Sequence, residues 1–171
     1  MRQSPDEHAP AFDSSDDLVP GAAGLCPDEL RFTCLYDTHA ARLRANRLVF
    51  ELAAKLNPSI QVWRTFWRFS ALHNSETRLP AEVCAAMADI IVVAHSGSGA
   101  PPVCDLLRSA LRGQREQSNV ALVSLRVRRP GEPSSATLRR SLQSLAAEQG
   151  IPFFSTEVSR LAFESSPARR R

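Results

Sequence analysis

Lysine is nearly missing from this chain of 171 residues: Lys55 stands alone, and the positive charge is otherwise arginine. That bias fits a GC-rich genome. The formal net charge is only +3, and the pI, near 8.9, falls short of the strongly basic balance and basic stripe of a nucleic-acid binder. Nucleic acid is therefore not an expected partner. Long hydrophobic runs are absent too. Nothing approaches the roughly 20 apolar residues of a bilayer span, and the acidic start MRQSPDEHAPAFDSSDD has no apolar core of a secretory signal. A cytoplasmic protein without a membrane partner is expected. Histidine runs out early: the four are His8, His39, His73 and His95, and none follows. The four cysteines, Cys26, Cys34, Cys84 and Cys104, make no CxxC pair and keep no regular spacing. A zinc site needs clustered ligands, so the cysteines read as buried thiols and no metal is expected.

What is present is enough for one full hydrophobic core, with 43% hydrophobic and 23% charged residues. Residues 1–29 carry Asp6, Glu7, Asp13, Asp16, Asp17, Asp28 and Glu29 against Arg2 alone, and read as a disordered acidic extension. Residues 165–171 end in Arg169-Arg170-Arg171 and read as a disordered basic tail, leaving 30–164 as a single domain.

Within that domain, strand and helix patterns alternate. Leu30 to Tyr36 is rich in β-formers and runs into Asp37-Thr38, a helix-capping pair. A helix to about Leu56 follows, with Ala41, Ala45, Leu48, Leu52 and Leu56 on its inner stripe. The strand Ile60–Trp67 directs Ile60, Val62 and Phe66 one way and Trp63 and Trp67 the other. The polar stretch 73–78 reads as a loop before a helix from Leu79 to Ala88 with Pro80 in its first turn. Ile90 to Val93 is too apolar to alternate, as for a central strand covered on both faces. Pro101-Pro102 opens a helix with Val103, Leu106, Leu107, Ala110 and Leu111 inward, and Val120–Leu125 is a buried strand. A loop over 126–133 precedes a helix capped by Ser134-Ser135, with stripe Leu138, Leu142, Leu145 and Ala146, closed by Gly150. Ile151–Phe154 is a last strand, marked as an edge by Pro152, and a short helix is expected from Thr156 to Glu164.

Five strands alternating with four helices predict a three-layer α/β sandwich: a five-stranded parallel sheet of order 2-1-3-4-5 with helices on both faces. Over residues 30–155 this pattern resembles the flavodoxins and the response-regulator receivers. The resemblance implies a flavodoxin-like, Rossmann-like fold, with ligands beyond the carboxyl ends of strands one and three.

The segment at that place is Ala94-His95-Ser96-Gly97-Ser98-Gly99-Ala100. Amides around Gly97–Ala100 at a helix start suit a phosphate, with Thr38, Ser96, Gly97, Ser98, Gly99 and Arg126 as candidate ligand-binding residues. The plainer reading is that any strand-to-helix turn favours Gly and Ser, and the loop completes no phosphate fingerprint. Asp37, His39, His95 and Ser96 are the candidate acid–base and nucleophilic residues.

Three specific chemistries fail on residue types. His95-Ser96-Gly97 resembles the nucleophile elbow of α/β-hydrolases, but alanine and serine replace both elbow glycines and no histidine follows the serine. A receiver needs an aspartate after strand three and a lysine after strand five, where His95 and Ser96, and then Ser155, Thr156 and Glu157, stand instead. A flavodoxin phosphate loop after strand one would be rich in Gly and Ser, whereas Asp37–Arg42 has no glycine. No cofactor is expected.

The strand around Trp63 and Trp67 carries aromatics with Arg64 and Arg68, the composition of an interface, and could take a homodimer partner or another protein. The sequence thus leans away from an enzyme, toward a flavodoxin-like regulatory or interaction module without aspartyl phosphorelay. The alternative is a small-molecule or nucleotide-binding enzyme sited at the ends of strands one and three.

Overall fold

A computed structural model describes residues 29–56, 59–97, 101–112, 120–128 and 136–159. The acidic extension up to residue 28, Cys26, Ser98, Gly99, the Ser134-Ser135 cap and the basic tail lie outside the described residues. The elements in chain order are β1 (Glu29–Tyr36), α1 (His39–Ala53), β2 (Gln61–Arg68), a 3-10 turn (Phe69–His73), α2 (Ser75–Ala86), β3 (Ile90–His95), α3 (Pro101–Leu111), β4 (Ala121–Arg128), α4 (Thr137–Gln149) and β5 (Phe153–Ser159). All sheet pairings are parallel, in the order β2-β1-β3-β4-β5. This is the three-layer α/β sandwich of flavodoxin-like order that the alternating pattern predicts.

Each face of the sheet has its own core. Phe32, Cys34, Val92, Ala94, Leu125 and Val127 pack beneath Ala41, Ala45 and Val49 of α1. Leu35, Ile91, Val93 and Leu122 pack beneath α2, α3 and α4, whose buried stripes include Ala81 and Ala85, Leu106 and Leu107, and Leu142 and Leu145. β3 contributes to both, so Ile91 through His95 are all buried. The α3 and α4 stripes fall where their periodicity places them. Among the described residues, no helix is long and apolar enough to cross a membrane.

Several boundaries differ from the sequence expectation. Glu29, counted with the extension, opens β1 and pairs in register with Gln61. α2 begins four residues early because the Asn74 side chain accepts the Glu76 N–H at 3.0 Å, a cap inside the supposed loop. Pro80 therefore sits within the helix rather than in its first turn. Leu56, placed on the α1 stripe, lies past the helix end and is exposed. β4 continues through Arg128, and β5 through Ser159 where a helix was expected from Thr156. The remainder of that expected helix, 160–164, falls outside the described residues.

α4 ends at Gly150, whose φ of +68° is left-handed and whose N–H bonds back to Ala147 at 3.2 Å. A Cβ there would meet nothing within 4 Å, so only backbone strain opposes a side chain. Gly150→Ala is accordingly expected to lower stability by about 1 kcal/mol, and Gly150→Asn by less, since asparagine tolerates the left-handed region. Urea denaturation of the two variants checks both the loss and its order.

Candidate functional site

At the junction of β1 and β3, where the strand order reverses, side chains link the two strand ends. Asp37 follows β1, and its N–H extends the ladder to the Ala94 carbonyl at 3.2 Å. Its Oδ2 accepts both the backbone N–H and the hydroxyl of Ser96, each at 2.7 Å. Oδ1 is buried without a hydrogen-bond partner. Thr38 serves as the α1 N-cap, its hydroxyl accepting the Ala41 N–H at 3.3 Å. His39 is exposed on the first turn of α1. Of the four candidate acid–base residues, then, Asp37 and Ser96 are brought together, His39 stands apart, and His95 looks elsewhere.

His95 closes β3 and is fully buried on the face covered by α2, α3 and α4. Register decides its neighbours, because partners in a parallel sheet project to one face. Val93 pairs with Ser124 and Ser124 with Ser155; one step on, His95 pairs with Arg126 and Arg126 with Glu157. Ser124 and Ser155 of the first row and all three residues of the second, with Thr156 of β5 and Ala136 and Arg139 at the start of α4, line a cavity of about 220 Å³. It opens at the carboxyl rim of β3, β4 and β5, one strand over from the junction of β1 and β3.

The cavity floor is uncharged and its walls are charged. His95 Nε2 lies 3.3 Å from the Ser124 hydroxyl, while Nδ1 is buried without a hydrogen-bond partner. Burial is the main cause that lowers the His95 pKa; the Asp37 carboxylate pulls it back up and the Arg126 guanidinium pushes it down again. The ring is therefore neutral at pH 7. Arg126, 8% exposed, has Nη1 3.9 Å from Glu157 Oε2, and Arg128 Nη1 lies 3.5 Å from the other Glu157 oxygen. On its other side the Arg126 head runs beside Gly97, where a Cβ would lie 3.6 Å from Nη2. Gly97 has φ +109°, a conformation that glycine alone adopts readily, so this turn is glycine for its backbone. α4 starts behind Ala136, which offers its first-turn N–H groups no side-chain acceptor.

Arg126 is thus the candidate ligand residue that faces the cavity, although from within β4 rather than from a loop after it. Ser124, Arg139, Ser155 and Glu157 were missed. For the three strand residues the signal is a period of two: Ser124-x-Arg126-x-Arg128 and Ser155-x-Glu157-x-Ser159 alternate with Leu125, Val127 and Val158, while Arg139 on α4 has no such signal. On the metal question, no three His, Cys, Asp or Glu side chains cluster as metal ligands among the described residues. Burial pushes the Cys34 thiol up to about 12 and raises Cys104 as well, so neither is a ready nucleophile.

Compared with known proteins, the chain matches no family model and no curated sequence. A solved structure from work on the catalytic mechanism of CD38, describing a conformationally flexible covalent enzyme–substrate complex, aligns with it at 18% identity. That alignment covers 82% of this chain and 71% of the other, with a TM-score of 0.43, and it carries nothing about the site.

The buried neutral imidazole gives a signed pH effect. Below about pH 6.5 the unfolded chain protonates this histidine while the folded chain does not. Stability is therefore present above pH 6.5 and falls as pH drops toward the lower folded-state pKa of His95. Denaturation midpoints between pH 7.5 and 5 should decline, and His95→Gln should flatten that part of the curve.

Proposed function

We propose that the chain is a non-catalytic sensing or regulatory module that holds one small polar molecule in the cavity at the carboxyl rim of β3, β4 and β5. The observation that carries this reading is the cavity's construction: a floor of His95 and Ser124, both fully buried, under walls of Arg126, Arg139, Ser155 and Glu157. Two buried polar side chains cost stability unless they are used or fully hydrogen-bonded, and His95 Nδ1 is not. The volume, about 220 Å³, lies below the roughly 300–1,000 Å³ of sites for drug-sized ligands, so the molecule is small.

What speaks against catalysis is the arrangement of the acid–base candidates. The Ser96 hydroxyl donates to the Asp37 carboxylate, and among the described residues no histidine bonds it. Aspartyl phosphorelay lacks its acceptor, since β3 ends in His95 and is followed by Ser96.

A thermal-shift panel of phosphorylated metabolites, nucleoside monophosphates, small carboxylates and polyols tests the reading. A true ligand at a hundred times its Kd should add about 2.7 kcal/mol of stability, and Ser155→Trp, which fills the cavity, should remove the shift. No shift from any member of the panel would count against a sensing role.

Self-association is a second reading, favoured by the exposed surface near β2. Trp63 is 52% exposed on this edge strand, and Leu79, Val83 and Met87 form an exposed apolar stripe on the outer side of α2. Trp67, the other candidate interface residue, instead packs partly buried against the core. Light scattering should give an oligomer for the native chain and a smaller species for Trp63→Ser. A monomer at every concentration removes this reading.

A further inference from the structure

The geometry points to a phosphate-class ligand, a small phosphomonoester or inorganic phosphate, bound in the rim cavity in exchange for Glu157, the carboxylate now held there as an internal counter-ion. This inference rests on the cavity being a ligand site and adds the chemistry of what fills it.

The positive groups come from two elements, β4 and α4. Arg126 is buried and held in register between His95 and Glu157. Arg139 reaches the same cavity from the first turn of α4, a helix whose first N–H groups receive no acceptor from the cap residue Ala136. A helix start is a weak argument alone, since many carry no ligand. Here a second observation stands beside it: His95, wholly buried, lines the cavity and has one ring nitrogen without a partner.

The negative group is the loosely held part. Glu157 sits 3.9 Å from Arg126 and 3.5 Å from Arg128, both beyond ordinary hydrogen-bond length, and its side chain is 45% exposed on the edge strand. Ion pairs of that kind contribute little and exchange readily with solvent ions. A dianion carries more charge and more acceptor oxygens than one carboxylate, and the cavity offers it two guanidinium groups and the Ser155 hydroxyl. With the ring proton on Nδ1, His95 Nε2 accepts the Ser124 hydroxyl and the unpartnered Nδ1–H is left as a donor for an anion. A carboxylate ligand would merely repeat what Glu157 already supplies. The modest volume has no room for a phosphate together with a dinucleotide.

Isothermal titration of the full chain with inorganic phosphate, glycerol 3-phosphate, acetate and ribose distinguishes the outcomes. Phosphate or glycerol 3-phosphate should bind the native protein and acetate far less. Glu157→Gln should tighten phosphate binding about three- to tenfold by removing the competitor, and Arg139→Gln should weaken it about tenfold. Glu157 and Arg139 are both exposed, and a thermal melt of each variant checks that it is folded before its affinity is read. An unchanged or weaker affinity in Glu157→Gln, or acetate bound as well as phosphate, overturns the exchange. If ribose binds and no oxyanion does, the phosphate class falls while the cavity remains a ligand site. If none of the four probes binds and the metabolite panel is also silent, both readings fall.

Discussion

Everything at the rim follows from β3 being sealed on both sides. Val92 and Ala94 lie under α1, and Ile91 and Val93 under the three helices opposite. A strand so enclosed has no wet end until it leaves the sheet, and its last residue is His95. An imidazolium there would have to shed its hydration without a bonded counter-ion, so the ring stays neutral. It then needs hydrogen-bond partners from the adjacent strand rather than from water. Register supplies one of them, Ser124, and leaves the other ring nitrogen unmatched.

The same register sorts charge across the sheet. Moving outward from β3, burial relaxes, and the residues opposite His95 become Arg126 and then Glu157. A neutral group sits where solvent is excluded, a buried guanidinium one strand out, and an exposed carboxylate at the edge. The order is electrostatically sensible, since Arg126 is the ion most costly to bury and Glu157 is within reach of it from the wet side.

Much of this architecture was legible in the chain. The stripes Leu106-Leu107 and Leu142-Leu145 repeat at helical spacing, and the apolar block Ile90–Val93 states that its strand is central. The legible signals are those in which burial alone fixes the residue. The failures occur where polar residues continue a regular element. Asn74 looks like loop because asparagine serves loops and caps alike. Arg126 and Arg128 look like loop because a hydropathy scan stops at the first charge, although Val127 between them is 2% exposed. β5 hides its outer half the same way, as Ser155 and Glu157 carry no strand preference until their pairing with β4 is known. The candidate site consists largely of such residues, so it lay in the stretches that pattern reading discarded.

This also explains why the cavity lies one strand away from where a doubly wound sheet ordinarily places its ligand. At the reversal between β1 and β3 two chain segments diverge, and their free N–H groups usually await an anion. Here Asp37 supplies that anion from within the chain, taking both Ser96 donors on one oxygen. Among the described residues, no carboxylate bonds the adjacent crevice's donors so closely. Its helix begins behind an alanine, its arginines come from β4 and α4, and its only carboxylate among the lining residues is tethered at arm's length. At the reversal the Ser96 donors already meet a carboxylate at 2.7 Å, whereas in the rim cavity Glu157 stands 3.9 Å from Arg126. A ligand that must compete with the protein's own groups gains most in that cavity.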